Sequence, residues 1–133
     1  MEKIEIGACV IDSSVWVALF LDGDTNHEKA AALFEVMPRR VYVPYIVLAE
    51  VATTLTYKHS KKQADKFLQF VTEDERCTLI ESSSRHDVDA YNNCSDKISF
   101  ADIAIMEAAR SFEVALITFD KQMKKVYERE VGK

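Results

Sequence analysis

The chain has 133 residues, 48% hydrophobic and 29% charged, which is enough for one compact domain with its own core and argues against disorder. Its formal net charge of -5 at pH 7 excludes a surface held on nucleic acid by bulk positive charge and leaves only a local basic patch for such a role. Three widely spaced cysteines (Cys9, Cys77, Cys94) with no CxxC pair give neither a disulfide framework nor a zinc site, and no stretch reaches the roughly 20 apolar residues of a membrane span.

The sequence alternates strand and helix patterns from end to end. After a short apolar opening, "ACVID" (8–12) reads as a buried strand, because a brief apolar run closing on a polar residue suits a parallel sheet covered on both faces. "SSVWVALFL" reads as a helix broken by "DGDTN", residues 27–37 as a second helix, "PRR" as a turn, and "VYVP" (41–44) as a strand stopped by Pro44. Residues 45–75 form a helix pair dividing near Ser60, and "CTLIE" (77–81) is a third strand. A polar helix over 85–93, the helix "SFADIAIMEAARSF", the strand "VALITF" (114–119) and a basic helix after Asp120 complete the chain. Strands joined by helical crossovers predict a three-layer α/β/α fold with a mostly parallel sheet, and no linker divides residues 1–133 into more than a single domain.

In such a sheet ligands collect outside the carboxyl ends of the strands, where the strand order reverses. Asp12 closes the first strand and Asp120 follows the last. Glu50 lies in a helix among Ile46, Val47, Val51 and Thr54, and Asp102 lies in a helix whose same face carries Ile98, Ser99, Ile105, Met106 and Ala109. Four acids beside apolar sequence would repel one another strongly if they met in a low-dielectric cleft. A hard divalent cation relieves that repulsion, and Mg²⁺ or Mn²⁺ on carboxylate oxygens suits phosphodiester hydrolysis. Three of the acids also have a local explanation: Asp12 and Asp120 as helix N-caps, and Ser99 with Asp102 as a capping box. Glu50, in mid-helix, has none of this kind, and its alternatives are a salt bridge or a less buried face.

These residues resemble the PIN-domain ribonucleases, and among them the VapC-type toxins of prokaryotic toxin–antitoxin pairs, over nearly the whole chain. "VIDSSVWVALF" carries the first acid, Asp12, with Ser13 and Ser14; "VLAEVATTL" carries Glu50; "ISFADIAIMEAAR" carries Asp102; and "LITFD" carries Asp120 with Thr118 before it. The unpaired cysteines fit a reducing cytoplasm, and the resemblance implies a Mg²⁺- or Mn²⁺-dependent endoribonuclease, dimeric and held inactive by a cognate antitoxin. Asp12, Asp102 and Asp120 are then metal ligands or acids acting on the metal through water, and Glu50 is a ligand or the base that orients the attacking water. Ser13 and Thr118 are candidates to hold these carboxylates by hydrogen bonds, although Ser13 equally suits a helix start.

RNA needs positive charge on this acidic chain. The candidates are Arg39 and Arg40 in the turn, Lys58, His59, Lys61 and Lys62 at the helix junction, and Lys121, Lys124 and Lys125 in the last helix. His27, His59 and His86 are too far apart in sequence to indicate a paired-histidine ribonuclease, Cys94 lacks a partner for nucleophilic chemistry, and Trp16 and Phe20 read as core or dimer interface. Two other readings stand beside the nuclease: a non-catalytic PIN-like module keeping the acids as a metal or partner site, and an α/β phosphotransfer domain built on a strand-end aspartate. With three glycines and no glycine-rich loop, nucleotide-binding readings gain nothing.

Overall fold

A computed structural model describes residues 7–36 and 39–131. Four parallel strands, β1 (Ala8–Ile11), β2 (Arg40–Pro44), β3 (Cys77–Ile80) and β4 (Ala115–Ile117), form one sheet in the order β3-β2-β1-β4. The helices are α1 (Ser13–Phe20), α2 (His27–Glu35), α3 (Tyr45–Lys58), α4 (Lys61–Glu73), α5 (Ser84–Asn93), α6 (Phe100–Ser111) and α7 (Lys121–Val131). α1 to α4 pack on one another and α5 to α7 form a second group, the two meeting where α3 touches α6. The expected parallel α/β architecture is what the chain adopts. Among the described residues, no helix is long and apolar enough to cross a membrane.

The central strands β1 and β2 carry the fully covered side chains Cys9, Val10, Val41 and Val43, which is why their sequences read as unbroken apolar runs. Trp16 on α1 sits at the centre of an aromatic cluster, with its ring 5.5 Å from both Phe34 and Phe67. It is a core residue. Its Nε1 is the one fully buried side-chain polar atom without a partner among the described residues.

Side chains that act on the backbone set the element boundaries, at Ser60 as expected and at the end of β4 earlier than expected. The division of the helix pair falls at Ser60, whose Oγ accepts from the Gln63 N–H and caps α4. Met37, the expected end of α2, and Pro38 of the expected turn lie outside the described residues. β4 ends at Ile117, short of the expected 119, because Thr118 leaves the ladder and turns its hydroxyl toward Asp12. The chain builds outward from β1 through β2 to β3, then returns to the other side of β1 for β4, so the strand order reverses between β1 and β4. The crevice beyond their carboxyl ends is where this fold class offers a site.

Candidate active site

Asp12 follows β1 directly, and its N–H donates to the Ile117 carbonyl at 2.8 Å, so the backbone holds the first acid against the end of β4. It occupies the N-cap position of α1, but its side chain makes no capping bond, which overturns the capping explanation. The carboxylate, 5% exposed, instead accepts on Oδ2 from the Thr118 hydroxyl at 2.8 Å and the Ser14 hydroxyl at 3.0 Å. Two neutral donors on one oxygen leave its charge in place and fix its orientation.

Glu50 projects from α3, half-buried, and its Oε1 accepts from the Ser13 hydroxyl at 2.7 Å. Ser13 is therefore more than a helix start: with Asp12 before it, it ties two acids from distant parts of the chain to one corner. Asp102, also half-buried, lies in the first turn of α6, and its N–H donates to Ser99 Oγ at 3.1 Å. Burial, the negative charge of Asp12, and then those of Glu50 and Asp120 hold the Asp102 carboxyl above the usual carboxylate range, against the pull of the Ser99 hydroxyl in the other direction. Three like charges act on one carboxyl, so the four acids share a neighbourhood. Asp120 is exposed; its Oδ1 caps α7 by accepting from the Met123 N–H at 3.0 Å, and its own N–H donates to Thr118 Oγ1 at 3.0 Å. The capping roles of Asp120 and of Ser99 at residue 102 are thus real, and the charge of Asp120 still bears on Asp102.

Among the described residues, no three His, Cys, Asp or Glu side chains stand close enough, as placed, to hold one ion. The donor chemistry nonetheless fits a hard divalent cation: four carboxylates, with hydroxyls orienting two of them, and mutual repulsion that such a cation would relieve.

The sequence reading named Ser14 beside Asp12 and Ser13 but gave it no role; the structure has it share Asp12 with Thr118. Arg40 starts β2 opposite Ala8 at the start of β1, so Arg39 and Arg40 stand at the edge of the sheet away from the acids. A turn that enters a parallel strand always lies at that far edge. Lys61 is paired with Asp65 at 2.9 Å. The amide of Gln63, two residues on, donates to the Phe20 carbonyl, which puts the first turn of α4 at the far end of α1, about 12 Å along that helix from the acids. Lys121 opens α7 directly after Asp120. Lys29 of α2 also escaped notice; its ammonium lies 5.4 Å from the centre of the Phe119 ring, beside Asp120 in sequence. A second polar network, unconnected with the acids in sequence pattern, joins α5 to α7: buried Glu107 accepts from His86 Nε2 at 2.7 Å and pairs with Arg110, which also pairs with Glu130.

Fold and site together define a doubly wound parallel α/β domain with an acid cluster at its strand switch point. The chain matches the PIN domain model over residues 9–129 and belongs to that family. Among solved structures it is similar to Mycobacterium tuberculosis VapC20, a sarcin-ricin loop cleaving toxin, with 20% identity over 89% of this chain and 94% of that one and a TM-score of 0.79. It is also similar to VapBC2 of Rickettsia felis, bound to a promoter DNA fragment (16% identity, 89% and 92% covered, TM-score 0.66). A toxin–antitoxin complex from Klebsiella pneumoniae gives 19% identity, 86% and 88% coverage and a TM-score of 0.64. These likenesses describe the fold. The chain matches no curated protein sequence.

Proposed function

We propose that this chain is a metal-dependent endoribonuclease and the toxin of a toxin–antitoxin pair, acting as a dimer and held off by a cognate antitoxin. The observation that carries this reading is the gathering of Asp12, Glu50, Asp102 and Asp120 about the β1–β4 switch point of a PIN domain, with Asp12 held by Thr118, Glu50 held by Ser13, and the Asp102 carboxyl raised first by burial and then by the charges of the other acids. The similar structures, a toxin that cleaves the sarcin-ricin loop and two toxin–antitoxin assemblies, support RNA as substrate and a protein inhibitor as partner.

Asp12, Glu50, Asp102 and Asp120 would hold Mg²⁺ or Mn²⁺. Such an ion, when bound, lowers the pKa of a water and offsets charge on the leaving oxygen. The chain's own task is orientation. Thr118 and Ser14 fix one Asp12 oxygen, and Ser13 fixes one Glu50 oxygen, so each carboxylate keeps its second oxygen for the cleft. Asp120, capped onto α7 through Oδ1, likewise keeps Oδ2. Glu50, the least constrained by helix ends, is the group suited to accept a proton from an attacking water.

The test is cleavage of single-stranded RNA by protein freed of any inhibitor. Cutting in Mg²⁺ or Mn²⁺, its loss in EDTA, and its strong reduction in Asp12→Asn and Asp120→Asn are the expected results. Undiminished cutting in chelator would remove the metal from the mechanism, and full activity in both variants would remove these acids from the site.

A further inference from the structure

Four carboxylates at one crevice repel a phosphodiester strand, and a single divalent ion offsets only part of that charge, so the strand needs cations beside the acids. The arginines with fixed partners are spent elsewhere: Arg76 on Asp74, Arg110 on Glu107 and Glu130, and Arg129 on Asp96. Lys29 is different. It is exposed, and its ammonium lies over the Phe119 ring, at a distance where a cation is attracted to an aromatic face. Phe119 is half-buried against the core and sits between Thr118, which holds Asp12, and Asp120.

The helix that carries Lys29 is itself anchored. His27 Nδ1 bonds the Ala18 carbonyl at 2.8 Å, Ala30 is fully covered, and Phe34 packs on Trp16. The ring thus holds an ammonium that has no ion-pair partner among the described residues, on the side where β4 ends and next to the segment that carries Thr118 and Asp120. We infer that Lys29, steered by Phe119, contacts a backbone phosphate of the RNA strand next to the one being cut. The inference rests on the nuclease reading above and adds a substrate-positioning residue to it. Lys29 touches no reacting atom in this account; it sets where the strand lies.

The contact is tested by binding and by kinetics on one single-stranded RNA oligonucleotide, with wild type, Lys29→Gln, Lys29→Arg, Phe119→Leu and, as a surface-lysine control, Lys66→Gln. Binding is read by fluorescence anisotropy across a salt series. One phosphate contact contributes about 0.7 to the slope of log K against log salt for a single strand, which is roughly fivefold in affinity at 0.1 M salt. Lys29→Gln should weaken binding by about that factor and flatten the slope by about 0.7, with KM raised and kcat little changed. Lys29→Arg should restore the slope, Phe119→Leu should fall between, and Lys66→Gln should match wild type. An unchanged slope in Lys29→Gln overturns the inference, as does a loss of kcat that arginine does not rescue. A wild type that fails to cut RNA would defeat the nuclease reading, whereas the salt slopes decide the Lys29 contact with or without cleavage.

Discussion

Asp102→Asn removes one of the four acids' charges while keeping the side chain's size and the Ser99 cap, which grips the backbone N–H of residue 102. Because burial and the charges of Asp12, Glu50 and Asp120 raise the Asp102 carboxyl, the folded protein keeps its proton more readily than the unfolded chain does. Unfolding free energy therefore falls as pH rises from the unfolded value, about 3.9, through the raised folded one. In EDTA the variant should melt above wild type at pH 7, and the gap should close as pH is lowered toward about 4. The attraction of an ionised Asp102 to the N-terminus of α6, about 0.3–1 kcal/mol, works against the gap without reversing it if like-charge repulsion dominates. Metal then inverts the order. For 133 residues the unfolding entropy is about 0.28 kcal/mol/K, so Mg²⁺ at ten times its Kd, worth about 1.4 kcal/mol by linkage, raises the wild-type Tm by about 5 °C. The variant should lose most of that rise. Melting curves for both proteins across pH 4–8, in EDTA and in a Mg²⁺ series at constant ionic strength, make the measurement. A variant that melts below wild type at every pH in EDTA yet gains the full Mg²⁺ shift would refute the shared site and leave Asp102 as a helix-end residue.

Thr118→Val keeps the shape but removes the 2.8 Å bond to Asp12, so Tm should fall by about 5–10 °C, from about 1.5–3 kcal/mol for a hydrogen bond to a charged group, and RNA cleavage should drop about 10–100-fold. Wild-type stability together with wild-type cleavage in this variant would show that Asp12 needs no such hold. Glu107→Ala should lower Tm by several degrees through loss of the His86 and Arg110 contacts while leaving KM for RNA unchanged; a rise in KM would place that network in substrate binding. Burial pushes the Cys9 thiol up to about 12 and the Cys77 thiol up to about 11, so a disulfide reagent at pH 8 should label only Cys94 quickly in the native protein and all three cysteines in guanidinium; rapid native labelling of Cys9 would contradict its burial in β1.

The parallel α/β fold was legible because its signals are local and periodic: apolar runs for the covered strands, helical spacing between them, and Pro44 and Ser60 as punctuation. The acids were legible because each interrupts an apolar pattern. What escaped was set by contacts across the chain. Nothing near Lys29 in sequence announces Phe119, 90 positions away, and nothing near Glu107 announces His86. Charge density alone nominated Arg39 and Arg40, whereas strand direction fixed their place at the end of the sheet away from the acids. Ser14 was visible, but whether the first or the second serine would reach which acid depends on the entry angle of α1. In the event Ser14 turns back to Asp12 and Ser13 crosses to Glu50.

Helix capping and a shared acid site looked like competing explanations, yet the geometry divides them between different atoms. At Asp102 the cap engages the backbone N–H; at Asp120 it engages Oδ1; at Asp12 the N-cap position uses only the backbone, and the side chain answers to Thr118 and Ser14. Each helix end thereby fixes where an acid begins, and each hydroxyl fixes how it points. Repulsion among the four would spread them if they stood on mobile loops. On strand ends, a first helical turn and, for Glu50, the middle of α3 it is instead borne by the core beneath, where Val10, Trp16, Val47 and Ile105 are fully or almost fully covered. The acid cluster proposed to hold the metal therefore gains its preorganisation from the same short-range bonds that would have explained single acids away on their own.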